Sequence, residues 1–452
     1  MSSAVAATTD VHQMSRPTVG TLRDEAFLAQ VRERLVRTLD PQVLDPFSPA
    51  PDRIDRISTV VHAHLAEAYP RAIPDPTLVQ RLCDELAGLG PLQSLMTDPE
   101  VTDVLVNGPT EVWVERRGRL EPTSVRFRNA QHLAALMEKI AALVGRHLSL
   151  ESPCVDARMA DGSRANLVIA PVGGPCLSIR KHRRVRLALR SEQPEASGRI
   201  GSEEAAVDWV TAGGLSEAMA AFLATAVRAR LNVLVAGATG AGKTTLLASL
   251  LAAVPPTERV VIIEDTTELA EPDQGHTVRL QCVHGQRAVD YQDRTVSVAD
   301  LLANALRMRP DRLVVGEIRS PREAYVCLEA LNTGHAGSGT TIHANGAADA
   351  LGRLETLVRR EYRDFAAREL REPIARAFDL VIHVGRLADG RRAVLEVMEL
   401  AGMSTDETYD LRPVFSAERT AAGGNIVGFE ASNGYEAGPK VLAKLRMQGL
   451  VL

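Results

Sequence analysis

Residues 231–248, LNVLVAGATGAGKTTLLA, constrain the fold of this chain more than any other stretch. A short apolar run, Val233-Leu234-Val235, reads as a buried strand. Gly237-Ala238-Thr239-Gly240-Ala241-Gly242-Lys243-Thr244 then satisfies G-x-x-x-x-G-K-[ST] in full, and an apolar helical run follows over 245–253. The three glycines let the backbone curl with its N–H groups facing inward, a nest that accepts a phosphate at the positive end of the following helix. Lys243 adds a point charge for the outer phosphates, and the Thr244 hydroxyl suits a Mg²⁺ ligand. The nucleotide-binding set is therefore Gly237, Ala238, Thr239, Gly240, Ala241, Gly242, Lys243, Thr244 and Thr245. Strand, loop and helix in this order predict an α/β domain built on a largely parallel sheet.

The remaining chain divides by pattern. Residues 1–21 are small and polar and are expected to be disordered. Residues 22–89 carry helical spacing interrupted by Pro46, Pro49 and Pro51, which predicts a helical N-terminal subdomain. Residues 90–189 read as an α+β domain. Strand-like runs fall at 101–106, 112–114, 155–159, 165–169 and 177–180, with an amphipathic helix at 131–144 and a hairpin turn at Asp161-Gly162. Residues 190–214 are rich in Ser, Glu, Ala and Gly and read as a linker, with a short ordered piece near Trp209. The α/β domain spans 215–402, and a polar extension, 403–452, ends in a helix at 439–447.

Composition excludes several classes. The net charge of −5 and the aromatic content of 4% argue against a nucleic-acid binder that stacks bases. The five cysteines (Cys83, Cys154, Cys176, Cys282 and Cys327) are scattered, which fits free thiols in a reducing compartment. The N-terminus lacks a basic start with a long apolar core, and no apolar run approaches membrane-spanning length. A cytoplasmic location with membrane association only through partners is expected.

Three segments beyond the loop carry candidate chemistry. Residues 259–263 form a second apolar strand ending in Glu264-Asp265-Thr266-Thr267-Glu268. Carboxylates past the C-terminal end of a parallel strand sit where such sheets bind ligands, so these groups suit a water-orienting base and support for Mg²⁺. A solvated acidic loop is the alternative. Leu313-Val314-Val315-Gly316-Glu317 is a third strand closing on an acid, the usual form of the second nucleotide-site motif. Ser320, Pro321 and Glu323 then start a helix with a capping box. Finally, TGHAGSGTTIHAN (333–345) places His335 and His343 about a turn rich in glycine and hydroxyl groups. Its histidines could sense a γ-phosphate, and the spacing gives little support for zinc.

Phosphate loop, acidic box (IEDTTEL), second motif (RMRPDRLVVGEIR) and histidine box, in that order, resemble the secretion-ATPase superfamily of type II and type IV secretion and pilus assembly. Residues 98–120, DPEVTDVLVNGPTEVWVERRGRL, resemble the N-terminal domain of the CpaF-type ATPases of Flp/Tad pili. The resemblance covers about residues 89–399. It implies a RecA-like P-loop ATPase domain preceded by a smaller, PAS-like α+β domain, and a hexameric ring that hydrolyses ATP with Mg²⁺ to drive an inner-membrane platform protein. By position it implies Glu268 as catalytic base, Glu317 beside Mg²⁺ with Thr244, and His343 on the γ-phosphate. His335 matches the other box histidine. Arginines of the N-terminal domain are implied on the phosphates. Arg180 is the first candidate because it follows the alternating pair Leu177 and Ile179. Arg158, Arg164, Arg183 and Arg184 stay open, as do the RMRPDR arginines Arg307, Arg309 and Arg312, which are expected next to the nucleotide-binding edge. A DNA-translocating P-loop motor of related fold is the alternative function.

Overall fold

The computed structural model describes residues 33–35, 37–48, 52–68, 79–80, 83–85, 87–116, 118–182, 188–190, 208–269, 276–283, 295–419 and 426–451. Residues 1–21 and the arginines Arg183 and Arg184 lie outside these. The chain forms two compact units, 1–182 and 183–452.

In the first unit helix α1 (Arg53–Ala68) contributes Ile57, Val61 and Leu65 to a small helical core with Leu35, Val43 and Val79. A short helix α2 (Gln93–Thr97) leads into a six-stranded antiparallel sheet, β1 (Val101–Val106), β2 (Val112–Arg116), β3 (Arg119–Pro122), β4 (Cys154–Arg158), β5 (Arg164–Val168) and β6 (Cys176–Arg180), ordered β3-β2-β1-β6-β5-β4. Alternation puts Val104, Val114, Leu167, Leu177 and Ile179 on the face that helix α3 (Ala130–Leu143) covers with Leu133, Met137 and Ile140. The Asn129 side chain caps α3 by accepting the N–H of His132. Arg180 ends β6 opposite Asp103 and Arg164, with its side chain exposed.

The second unit is a nine-stranded sheet: β7 (Val233–Gly237), β8 (Val260–Glu264), β9 (Thr277–Gln281), β10 (Arg312–Val315), β11 (Gly339–His343), β12 (Leu380–Arg386), β13 (Arg392–Met403), β14 (Tyr409–Arg419) and β15 (Ile426–Ala431). Their order is β15-β14-β13-β12-β7-β11-β10-β8-β9. The run from β12 to β9 is parallel, and β13 to β15 continue it antiparallel. Central strands buried on both faces need continuous apolar sequence, which VLVAG and VVIIE supply. Helices α4 (Glu217–Arg228) and α5 (Lys243–Leu251) share one core with one face of the sheet. Helices α6 (Val298–Ala305), α7 (Pro321–Asn332), α8 (Ala347–Glu361) and α9 (Ala367–Ala377) share another with the opposite face.

Two sequence divisions dissolve here. Residues 403–452 carry β14, β15 and the helix α10 (Pro439–Met447), so they extend the sheet and bury Val414, Phe415, Val441 and Leu445 in the α4/α5 core. Pro413 and repeated register shifts between β13 and β14 broke the alternation that would have revealed a strand. Residues 208–214, read as linker, pack against the phosphate-loop helix. Trp209 is buried, and its Nε1–H donates to Ser249 Oγ at 2.9 Å. All five cysteines are free thiols, and no helix among the described residues is long and apolar enough to cross a membrane.

Candidate nucleotide site

The parallel strands end in register along one edge. Gly237 of β7 faces His343 of β11, Val315 of β10 faces Thr340, and Ile263 of β8 faces Val315. Everything just beyond these ends converges there. The phosphate loop leaves β7 at Gly237, where a Cβ would stand 2.4 Å from the Val384 carbonyl, so no larger residue fits. Gly242 caps α5 in the left-handed region at φ 98°, which turns the chain abruptly into the helix. From β13, the Arg392 Nε–H donates to the Gly240 carbonyl at 3.0 Å.

Lys243 is buried, and its ammonium donates to the carbonyls of Gly237 and Ala238, each at 3.1 Å, and to His343 Nδ1 at 3.2 Å. An acceptor at Nδ1 leaves the ring proton on Nε2, which lies 2.6 Å from Glu317 Oε1. Burial, reinforced by Lys243 and Arg319, holds His343 below its ordinary range against the pull of Glu317, so the ring stays neutral near pH 7. Glu317 Oε2 accepts from Arg319 Nε at 2.7 Å, and Arg319 Nη2 lies 2.6 Å away. On the other flank, Thr244 Oγ1 lies 3.4 Å from Glu268 Oε2. Lys243, Thr244, Glu268, Glu317 and His343 are thus brought together at one edge.

Glu264, read only as part of an acidic box, has a different task. Its carboxylate ends β8 fully buried and accepts the N–H groups of Glu268 at 2.7 Å and Leu269 at 2.8 Å, while pairing with Arg279. Burial pushes this carboxyl up despite those bonds. It anchors the loop that carries Glu268. Gly316 lies close beside it, since a Cβ there would meet Glu264 Cγ at 3.0 Å. The capping box of α7 forms as Ser320, Pro321 and Glu323 predict, and it fixes the chain directly after Glu317.

Other candidates lie elsewhere. The RMRPDR segment leads into β10, whose first residue is Arg312, so Arg307, Arg309 and Arg312 are at the N-terminal end of that strand, not at the edge where nucleotide was expected. Arg312 is 1% exposed and forks onto Glu258 at 2.7 and 3.2 Å. His335 precedes β11, and its Nδ1 meets the Ala330 carbonyl at 3.0 Å, a strand's length from His343. Arg180 belongs to the first unit. Sequence reasoning missed Arg319, Arg392 and Trp209. Arg319 stood two residues past Glu317 and could have been noticed; the other two are far in sequence from the loop they touch.

The oxygen set here, one hydroxyl and two carboxylates, is the hard-donor kind that Mg²⁺ takes. Glu317 Oε1 is moreover buried and out of line for a hydrogen bond with His343, so it retains an unused acceptor. These residues fit a metal-bound triphosphate.

Residues 85–409 match the type II/IV secretion system protein family. The chain belongs to that family. A putative conjugal transfer protein of Mycobacterium tuberculosis is 39% identical over 324 residues, covering 70% of this chain and 85% of that protein. The type IV secretion system protein VirB11 of Brucella suis is 31% identical over 326 residues, covering 69% and 88%. The crystal structure of the Brucella suis VirB11 ATPase with sulphate covers 69% of this chain and 96% of its own at 32% identity, with a TM-score of 0.36. This member of the secretion family is an ATP-hydrolysing P-loop enzyme with an α/β RecA-like core.

Proposed function

We propose that this ATPase is the cytoplasmic motor of a pilus-assembly or secretion system of the Flp/Tad kind, working as a ring of six copies on an inner-membrane platform protein. The observation that carries the chemistry is the convergence of Lys243, Thr244, Glu268, Glu317 and His343 on one sheet edge. The ring, the platform and the Flp/Tad assignment rest on the motif order and on residues 98–120.

Hydrolysis would run on this chain's own groups. The loop N–H groups and Lys243 cradle the phosphates, and Lys243 exchanges its carbonyl contacts for phosphate oxygens. Thr244 and Glu317 would hold Mg²⁺, which when bound neutralises charge on those oxygens. Glu268 orients a water and takes its proton as the water attacks the γ-phosphorus, the bond from that phosphorus to the β,γ-bridging oxygen breaks, and ADP and phosphate leave. Neutral His343, with its Nε2–H, donates toward the terminal phosphate. Arg180, of the first unit, is the arginine proposed to add charge stabilisation on the phosphates.

In the purified full chain, Glu268→Gln should leave fluorescent-ATP affinity unchanged and lower turnover about 10²- to 10⁴-fold, the usual worth of a general base. Normal turnover would remove Glu268 from that role. Sedimentation of the nucleotide-loaded chain should give six copies. ATPase stimulation by DNA rather than by a platform protein would favour the nucleic-acid motor instead.

A further inference from the structure

Arg319 joins two motifs that the sequence presents as separate. Its guanidinium engages Glu317 Oε2 through Nε at 2.7 Å and Nη2 at 2.6 Å, two nitrogens of one fork converging on a single carboxylate oxygen. Its Nη1 lies 3.6 Å from Asp265 Oδ2. One planar cation therefore spans the acid that follows β10 and an acid of the loop that follows β8.

The backbone here cannot follow a side-chain movement. Ile318 is 2% exposed, and its N–H donates to the Thr341 carbonyl at 3.0 Å. The Arg319 N–H donates to Glu323 Oε2 at 2.8 Å, inside the capped start of α7. The Arg319 side chain, in contrast, is 46% exposed while Glu317 is 14% exposed. A main chain held at both positions thus carries a well-exposed cation resting on a less exposed carboxylate.

Charge indicates what this arrangement does. Glu317, Asp265 and a triphosphate would crowd negative charge into one edge, and a carboxylate this buried needs a partner cation. The Arg319 guanidinium is a cation in that place. We propose that Arg319 is a positioning residue that holds Glu317 and Asp265 together without metal and gives up Glu317 when Mg²⁺ arrives with nucleotide, so that guanidinium and metal compete for one carboxylate. This rests on Glu317 being the metal-side acid, as proposed above.

The test is equilibrium binding of a fluorescent ATP analogue to the full chain, first in EDTA and then across a Mg²⁺ titration. Wild type, Arg319→Ala, Arg319→Lys and Glu317→Gln are compared, with melting curves to confirm folding. Losing a charge-assisted contact to a carboxylate is worth about a tenfold change in competition. Arg319→Ala should therefore reach half-maximal Mg²⁺ enhancement at about one tenth of the wild-type Mg²⁺ concentration, and bind more weakly than wild type in EDTA. Arg319→Lys keeps the charge without the fork and should fall between them. An unchanged or raised Mg²⁺ requirement in Arg319→Ala overturns the proposal. If Glu317→Gln leaves the Mg²⁺ dependence untouched, the metal-side role of Glu317 fails instead, and the two failures remain distinct.

Discussion

Strand β10 begins at Arg312 and runs out toward Glu317, and its two ends live in different chemistry. At the N-terminal edge of the parallel strands Arg312 forks onto Glu258, and its Nη1–H donates to the Val227 carbonyl at 2.8 Å. Beside it Asn232 is bonded on every side. Its Oδ1 accepts the N–H groups of Gly337 and Ser338, its Nδ2–H donates to Ala377, and its N–H donates to Asp379 Oδ2 at 2.6 Å. Asp379 is fully buried between Lys440 at 3.0 Å and Lys444 at 2.5 Å, both on α10. These pairs latch the C-terminal helix to the sheet.

The opposite edge uses the same residue types loosely. Lys243 spends its donors on loop carbonyls and a neutral histidine, Glu317 holds an acceptor in reserve, and Arg319 is half exposed. A polar group whose partners are other parts of the fold stabilises one structure, while one whose partners are replaceable can exchange them for a ligand. The difference separates scaffold from chemistry without reference to residue type.

If that comparison is right, substitutions at the two edges must fail in different ways. The largest effect belongs to Asp379→Ala. It strands two ammonium groups against the sheet, and breaking such a buried pairing costs about 3–5 kcal/mol. Urea denaturation should show that loss, and a change below about 1 kcal/mol would deny the latch. A smaller effect belongs to Trp209→Phe, which keeps an aromatic ring but trims the indole to a phenyl and removes the bond to Ser249 Oγ. The cost should be about 1–3 kcal/mol in the same assay, from the lost bond and the lost packing together. Because Trp209 Cη2 stands 3.5 Å from where a Gly242 Cβ would be, nucleotide affinity should fall with it. A stability loss at full affinity would show that the Trp209 contact does not shape the loop.

Much of the site was legible because its residues are local. Phosphate loop, strand and helix are contiguous, the α7 capping box occupies four adjacent positions, and Asp389-Gly390 marks the turn between β12 and β13. The choice of edge was harder to read. His335 and His343 share one motif, yet a five-residue strand lies between them and carries them to opposite edges. Arg312 was grouped with the site for the same reason, although counting from the start of its strand would have excluded it. Strand β9 escaped because TVRLQ is an edge strand, half-buried throughout, with no clean alternation. Trp209 reaches the loop across tens of residues and Arg392 from 152 residues away, and no local pattern encodes such contacts.

The two ends of β10 offer the most direct test. Turnover of ATP with Mg²⁺ is measured per folded molecule for Arg312→Met and Glu317→Gln, below both melting transitions. Arg312→Met should melt well below wild type yet turn over within a few-fold of it while folded. Glu317→Gln should melt like wild type and lose about 10²-fold or more in turnover, as expected for removal of a charge acting on the transition state. Full activity in folded Glu317→Gln, or its loss in folded Arg312→Met, would contradict the assignment of chemistry to one edge and scaffold to the other.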